Sequence, residues 1–360
     1  MITIIIAHIC LIFAFSFIIG ILASQLSRLY KLTDKEGFCS VITSIIVLII
    51  TLILFFKYQL IARSPNDVLI ILIVSILFGF FGIYNLILYV YNKFHNSDIR
   101  KNPEMENISL ENKNRYYEFL RKSFHFIIFA GIMAFLIISY LVLNWLYSNN
   151  GDPLVLGLIQ TYWGPDIQYP INVYIENSTL ATAGIFMLAF FIISSGIIVM
   201  NEAARLIPKI YFPFAKAASF FLREKERDNF ASYLYFSIGM VFSSLILTTL
   251  PILAILATLS FGDSSYALIG KRFGKHKIPF NKIKSIEGSI GGFLVTFICT
   301  LPLVGILFGL IAAIIFTLID IVTPRIPMCD NIMGPVLITI AFWIMGVIGL
   351  KIGGLIVLLI

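Results

Sequence analysis

Long apolar runs alternate with shorter polar segments along almost the whole chain, and this pattern predicts a set of membrane-spanning helices. A run of about 20 apolar residues is long enough to cross the hydrocarbon core of a bilayer as an α-helix. The polar breaks divide the sequence into about ten such runs. Their approximate ranges are 2–23, 38–56, 67–92, 123–147, 178–200, 231–247, 250–270, 288–303, 304–319 and 333–360. The pattern therefore predicts an all-α, polytopic integral membrane protein with about ten transmembrane helices.

Composition supports this interpretation and narrows the classes of partner. Hydrophobic residues make up 59% of the chain and charged residues 12%, far from the usage of soluble globular domains. The first apolar run is too long for a removable signal peptide and lacks a small-residue cleavage site, so we expect a retained helix. The basic residues that give the net charge of +7 lie in loops between spans. This distribution indicates the orientation of the chain in the membrane and contact of the loops with anionic lipid headgroups. We expect no nucleic-acid partner.

The distribution of basic residues predicts which loops face the cytoplasm. Segments 93–122, 201–230 and 271–287 carry seven, six and six Lys or Arg residues, whereas 148–177 carries none. The positive-inside rule places the first three segments in the cytoplasm and the fourth outside. Two helical hairpins are then required, one turning near Pro251 and one divided near Pro302 and Gly305. The polar clusters around Arg121, Lys271 and Asp330 would then share the cytoplasmic face, where we expect the active site.

The stretch Phe261–Phe293, "FGDSSYALIGKRFGKHKIPFNKIKSIEGSIGGF", concentrates charge and glycine after an apolar run. Asp263 would lie at the membrane surface, where a carboxylate is costly unless it has a partner. A helix would place Ala267, Gly270 and Gly274 beneath that carboxylate, with Lys271 and Lys275 at its end. A hard cation held by a carboxylate among lysines suits a polyphosphate ligand. The alternative is a helix that ends in ordinary positive-inside lysines.

The end of this stretch, "KSIEGSIGG", places Glu287 beside glycines and a serine as the next apolar run begins. Backbone N–H groups at a helix N-terminus favour an anion. The alternative is close helix packing through Gly288 and Gly292, a small-xxx-small pair. The two interpretations are compatible.

Two further clusters carry groups suited to phosphate or metal. "RKSFH" places Arg121, Lys122 and His125 on one helical face at a predicted cytoplasmic span end, although a lone histidine there is usually a structural hydrogen bonder. "DIVTPRIPMCDN" joins two predicted spans, and its two carboxylates, Asp320 and Asp330, and Asn331 are residue types that coordinate Mg²⁺ or position a hydroxyl. Alone, this second motif would indicate only a turn.

In this order the motifs resemble the CTP-dependent membrane lipid kinases, a family that includes dolichol kinase, phytol kinase and fungal diacylglycerol kinase and is related to the CDP-diacylglycerol synthases. The resemblance covers roughly 115–340. It is carried by Arg121-Lys122-x-x-His125, Glu202-x-x-Arg205 with Arg223 and Glu226 downstream, "GDSSYALIGKRFGKHKIPFNKIKSIEGS" and Asp330-Asn331. One departure is that dolichol kinases tend to have a glutamate shortly before the Asp-Asn pair, where this chain has Asp320 at a longer interval, so the role of Asp320 stays open.

The resemblance implies transfer of the γ-phosphate of CTP to a lipid alcohol, such as a polyprenol, dolichol or phytol-like compound, with Mg²⁺ as cofactor. It implies Asp263, Asp330 and His125 as catalytic residues, with Asp263 and Asp330 as the metal ligands. The nucleotide-binding and cofactor-binding residues would be Arg121, Lys122, Gly262, Gly270, Lys271, Gly274, Lys275, Lys284, Ser285, Glu287, Gly288 and Asn331. The oligomeric state stays open.

The motifs also predict a domain organisation and a location. Residues 1–92 would be N-terminal transmembrane helices without motifs, 93–122 a cytoplasmic linker and 123–360 the catalytic membrane domain. The membrane would be the plasma membrane in a prokaryote and the endoplasmic reticulum in a eukaryote.

Two rival functions remain. A CTP:lipid-phosphate cytidylyltransferase uses the same nucleotide but attacks its α-phosphorus; the Arg-Lys-x-x-His motif and the lack of the synthases' "KD…PGHGG…DR" signature favour the kinase. A transporter would place charges near the membrane midplane in repeated halves, whereas among the Lys and Arg residues only Lys351 lies inside a predicted span.

Overall fold

The structure is a computed structural model, and it is mostly helical. It describes residues 2–57, 84, 87, 90, 126–134, 138, 141–142, 145, 148–149, 181–207, 222, 226, 229–323 and 325–350. The helices are α1 (Ile2–Lys31), α2 (Lys35–Lys57), α3 (Ala181–Leu206), α4 (Ser232–Ile246), α5 (Thr249–Ala257), α6 (Asp263–Phe273), α7 (Ile286–Val322) and α8 (Asp330–Val347). Residues 126–134 are helical as well.

Five helical segments are long and apolar enough to cross a membrane. They are Ile12–Lys31, Lys35–Leu54, Thr249–Phe273, Ile286–Val322 and Asp330–Val347. The prediction of a mainly α-helical membrane protein is confirmed at this level. The number ten stays a prediction, because the described residues include only 84, 87 and 90 of the predicted span 67–92 and about half of the predicted span 123–147.

Several predicted boundaries were wrong. Helix α1 runs to Lys31, not to residue 23. Its more polar last turns still bury side chains in the protein, among them Gln25 and Leu29, and this packing stabilises the longer helix. The chain then turns sharply through Thr33, which has a positive φ of 56°, and the Asp34 carboxylate accepts a hydrogen bond from the Gly37 N–H at 3.1 Å as α2 begins. The last helix was predicted over 333–360, but α8 begins at Asp330 and ends at Val347.

Helix α7 is a hairpin of two helices. It contains Pro302, and its backbone leaves the helical conformation at Gly305, where φ is +83°. A straight helix from 286 to 322 would be about 54 Å long. Yet Lys284, just before α7, forms an ion pair with Asp320 near its far end, and the Asn281 amide donates to the Ile321 carbonyl at 2.7 Å. The two ends therefore meet, as the predicted break near Pro302 and Gly305 requires.

A small sheet departs from the all-α prediction. Strands β1 (Lys277–Ile278) and β2 (Asn281–Ser285) pair antiparallel between α6 and α7. Ile278, Asn281 and Ser285 are buried, and the residues between them are more exposed. These three buried side chains anchor the hairpin, although the many lysines made the segment look like a plain loop.

The chain divides into two compact units. One comprises Met1–Ser123 and Ala189–Ile238, and the other comprises Phe124–Leu188 and Gly239–Ile360. The second contains α5 to α8 and the β-hairpin, with α7 packed against both α6 and α8. The domain boundaries predicted at 92 and 122 stay a prediction.

Candidate active site

A π-helical turn, Thr258–Gly262, positions Asp263. It joins α5, whose nine residues are all buried, to α6, whose first residue is Asp263. A π turn adds a residue to the helix and so rotates the following side chains by about 100° relative to an unbroken α-helix. A Cβ on Gly262 would lie only 2.4 Å from the Thr296 Oγ1 atom. Gly262 is therefore needed here for close packing against α7, next to the predicted metal ligand.

Helices α6 and α7 cross at close range through small residues. A Cβ on Gly288 would lie 2.8 Å from the Gly270 Cα, and one on Gly292 would lie 2.3 Å from the Tyr266 ring. Together with Gly262 and Thr296, these pairs repeat every four residues along both helices, in antiparallel order. The predicted packing role of Gly288 and Gly292 is thus observed. Its consequence is that the start of α7 lies against the second half of α6.

This seam makes a testable prediction about Gly288. Gly288→Ala is expected to destabilise the protein by about 1–3 kcal/mol, because the added methyl group meets rigid backbone atoms of Gly270. The measurement is thermal unfolding in detergent. Gly131→Ala is the matched control, since a Cβ at that helical position has nothing within 4 Å and is expected to be neutral or slightly stabilising. Equal stability of the two variants would contradict the close crossing.

Three carboxylates and one lysine converge at the ends of these helices. Asp320 is only 4% exposed and forms an ion pair with Lys284, which precedes α7. The charges of Asp263, from the start of α6, and Asp330, from the start of α8, both act on the Asp320 carboxylate. We call the cluster Asp263, Lys284, Asp320 and Asp330 the carboxylate site. Several carboxylates in a partly buried place are costly unless positive charge accompanies them.

The start of α8 brings the predicted Asp-Asn pair to this site. Cys329 is the N-cap residue, Asp330 begins the helix, and Asn331 is buried. A carboxylate in the first turn is stabilised by the positive end of the helix dipole. Gly334 packs against the Phe316 ring, since a Cβ added at Gly334 would lie 3.1 Å from that ring. This contact holds α8 against the second half of α7.

Several predicted ligands are engaged within the chain. The Ser285 hydroxyl accepts from the Gly288 N–H at 3.2 Å and caps α7. The Glu287 carboxylate accepts from the His276 N–H and lies 2.6 Å from its Nδ1 atom. Gly274 lies just past the end of α6, with ψ of 89°, so it does not continue the predicted helical face of small residues. These contacts shape the connection between α6 and α7, and roles in nucleotide binding stay predictions.

The remaining predicted residues separate into two groups. Lys271 is exposed near the end of α6, and Lys275 is exposed just beyond it. Because α6 ends at Phe273, the predicted four-residue helical spacing of these lysines is not realised. Arg121, Lys122 and His125 lie outside the described residues, so their position relative to the carboxylate site stays a prediction.

A second buried polar cluster lies in the other unit, and the sequence prediction gave it no role in the site. Glu202 is fully buried and accepts hydrogen bonds from the Arg205 guanidinium at 2.6 Å, the Ala231 N–H at 2.8 Å and the Tyr233 hydroxyl. Arg205 also donates to the Asn229 carbonyl. A glutamate and an arginine three apart in an apolar helix are the signal for such a pair. This network ties the end of α3 to the start of α4.

Metal binding is restricted by the donor set. Within the described part of the chain, no group of three or more His, Cys, Asp or Glu side chains is placed to hold a metal ion. Mg²⁺ needs less, because it usually keeps several waters and binds through one or two carboxylates together with substrate phosphates. Asp263 and Asp330 therefore stay the predicted ligands of such an ion. No protein-family model, no curated protein and no solved structure matches this chain.

Proposed function

We propose that the protein is an integral membrane kinase that transfers the γ-phosphate of CTP to the hydroxyl of an isoprenoid lipid alcohol at the cytoplasmic surface. The observation that supports this most is the convergence of Asp263, Asp320 and Asp330 with Lys284 at the ends of apolar helices. The resemblance of the surrounding motifs to the CTP-dependent lipid kinases supplies the nucleotide and the class of acceptor.

The charges of the site suit a metal-bound polyphosphate. Carboxylates repel phosphate, so this cluster accommodates a nucleotide only with a cation between them. Asp263 and Asp330 would hold Mg²⁺, which when bound neutralises negative charge on the β- and γ-phosphates. Asp320 is already paired with Lys284, and this pair would fix the position of the ammonium group beside the metal ligands. Lys271 and Lys275 would contact phosphate oxygens from the end of α6.

The transfer step is an in-line displacement at the γ-phosphorus. The alcohol oxygen forms a bond to the γ-phosphorus, and the bond from that phosphorus to the β–γ bridging oxygen breaks, so CDP leaves. The hydroxyl proton passes to His125 or to a carboxylate of the site. The products are CDP and the lipid monophosphate.

The outward faces of α6 and α7 suit an acceptor whose tail stays in the bilayer. Leu268 on α6 is 60% exposed, and Ile290, Leu294 and Ile298 on α7 are exposed as well. Apolar side chains on the outside of membrane helices contact lipid tails at no desolvation cost. A long isoprenoid chain would lie along this surface with only its hydroxyl at the carboxylate site.

The proposal predicts which phosphate of CTP reaches the lipid. Purified protein in detergent with Mg²⁺ is given CTP labelled at the α- or the γ-phosphorus, together with a polyprenol and a lipid phosphate as acceptors. We expect γ-label on the polyprenol, release of CDP, and loss of transfer when the metal is chelated. Transfer of α-label to the lipid phosphate with release of pyrophosphate would replace the kinase with a cytidylyltransferase. No transfer from CTP to either acceptor would refute both enzymes.

A further inference from the structure

The β-hairpin between α6 and α7 displays basic and apolar side chains together. Its ends connect to helices long and apolar enough to span a membrane, so the hairpin lies at the level of the headgroups. Ile283 is 77% exposed and Phe280 is 46% exposed. Lys277 and Lys282 are exposed beside them. Exposed apolar and basic side chains on one short element are typical of segments that lie in the membrane interface.

This display is held rigidly from the inner side. Ile278 and Asn281 are buried, and the Asn281 amide donates to the Ile321 carbonyl at 2.7 Å. The Ile286 N–H donates to the His276 carbonyl at 2.9 Å, which closes the base of the hairpin. The outward side chains are therefore presented by an anchored element, so little ordering is required when a ligand binds.

The surface extends beyond the hairpin and carries mainly positive charge. The Arg325 guanidinium, from the connection before α8, lies 5.1 Å from the Phe280 ring centroid, and the Arg272 guanidinium lies 5.4 Å from that of Phe273. Neighbouring carboxylates are engaged, Glu287 by His276 and Asp320 by Lys284. The basic-apolar surface comprises Arg272, Phe273, Lys277, Phe280, Lys282, Ile283 and Arg325.

We propose that this basic-apolar surface binds the headgroups of anionic phospholipids and inserts Phe280 and Ile283 among their upper acyl carbons. Charge complementarity selects an anionic partner, and the exposed apolar side chains select a lipid over a free phosphate or nucleotide. The surface lies next to the carboxylate site, because β2 contains both Ile283 and Lys284. Lipid binding here does not depend on the proposed kinase activity.

The test measures which lipid contacts position 283. Full-length Ile283→Trp protein is placed in phosphatidylcholine bilayers that contain a minority of one brominated lipid. This lipid is either brominated phosphatidylglycerol or brominated phosphatidylcholine, and in both the bromine lies near the headgroup end of the acyl chain. Tryptophan emission is compared with that of the wild-type protein in the same bilayers. We expect stronger quenching by the brominated phosphatidylglycerol, since one engaged cation enriches an anionic lipid roughly fivefold.

Charge reversal and a matched position complete the test. Adding Lys277→Glu and Lys282→Glu, or raising the salt concentration, should bring the quenching ratio of the two lipids close to unity. Ile290→Trp, on the exposed face of α7, should be quenched equally by both lipids in every background. Emission from position 283 that neither lipid quenches would place the hairpin outside the bilayer and overturn the proposal. Equal quenching by both lipids without charge reversal would overturn its anionic selectivity.

Discussion

Asp263→Asn is expected to lower the rate of phosphate transfer by about a thousandfold or more, while the protein remains inserted in the membrane. The carboxylate begins α6 directly after the π turn, and its charge acts on Asp320 within the carboxylate site. An amide keeps the shape of the side chain but removes the charge that a magnesium ion on the nucleotide would need. Losses of this size are typical when a group that stabilises transition-state charge is removed.

A structural role and a catalytic role for Asp263 predict different stabilities. Asp263 is only partly buried and the amide keeps the shape of its side chain, so we expect the thermal unfolding temperature of Asp263→Asn to stay close to that of wild type. Ser265→Ala is the matched control. Ser265 lies two residues further along α6, and its hydroxyl donates to the Phe261 carbonyl in the preceding π turn at 2.7 Å. We expect its transfer rate to stay within about twofold of wild type. Residual activity of Asp263→Asn above about a tenth of wild type would remove this carboxylate from the metal site.

Helix-level features of the fold followed from local sequence pattern. Apolar run lengths predicted membrane helices, and Pro302 with Gly305 predicted the break that α7 contains. Both rest on short-range physics, because a proline removes a helical hydrogen bond and glycine tolerates a positive φ. The seam through Gly288 and Gly292 was also predictable, since small residues four apart permit close helix contact. Local rules sufficed wherever the determining residues are neighbours in sequence.

The pairing of Lys284 with Asp320 was not predictable in the same way. The two residues are 36 positions apart and meet only because α7 folds back on itself. The sequence indicates Asp320 only as one of two carboxylates in its motif and leaves its role open, yet it is the most buried of the three carboxylates in the site. The Glu202 network likewise depends on tertiary contacts with Ala231 and Tyr233. Long-range polar partners of this kind leave no periodic signal in a single sequence.

Lys284→Met is expected to destabilise the protein by about 3–5 kcal/mol, a larger effect than that of any other single change to the ion pair. The substitution leaves the Asp320 carboxylate buried, without its ammonium partner and still close to the charges of Asp263 and Asp330. Asp320→Asn should cost less, because the Lys284 side chain is 29% exposed and its long stem lets the ammonium group reach water. Unfolding in detergent by heat or denaturant measures both variants.

The double variant separates the ion pair from simple loss of packing. Lys284→Met combined with Asp320→Asn should be more stable than Lys284→Met alone, because the second change removes the buried charge that the first leaves unpaired. Lys282→Met is the matched control: this lysine lies on the same strand, is exposed, and should change stability by no more than about 0.5 kcal/mol. If the two effects simply add, the pair contributes nothing specific. Non-additivity would instead mean that the main role of Lys284 is to neutralise the buried Asp320 carboxylate beside two other carboxylates. The lysine charge would then be available to a phosphate only when a bound metal ion neutralises those carboxylates in its place.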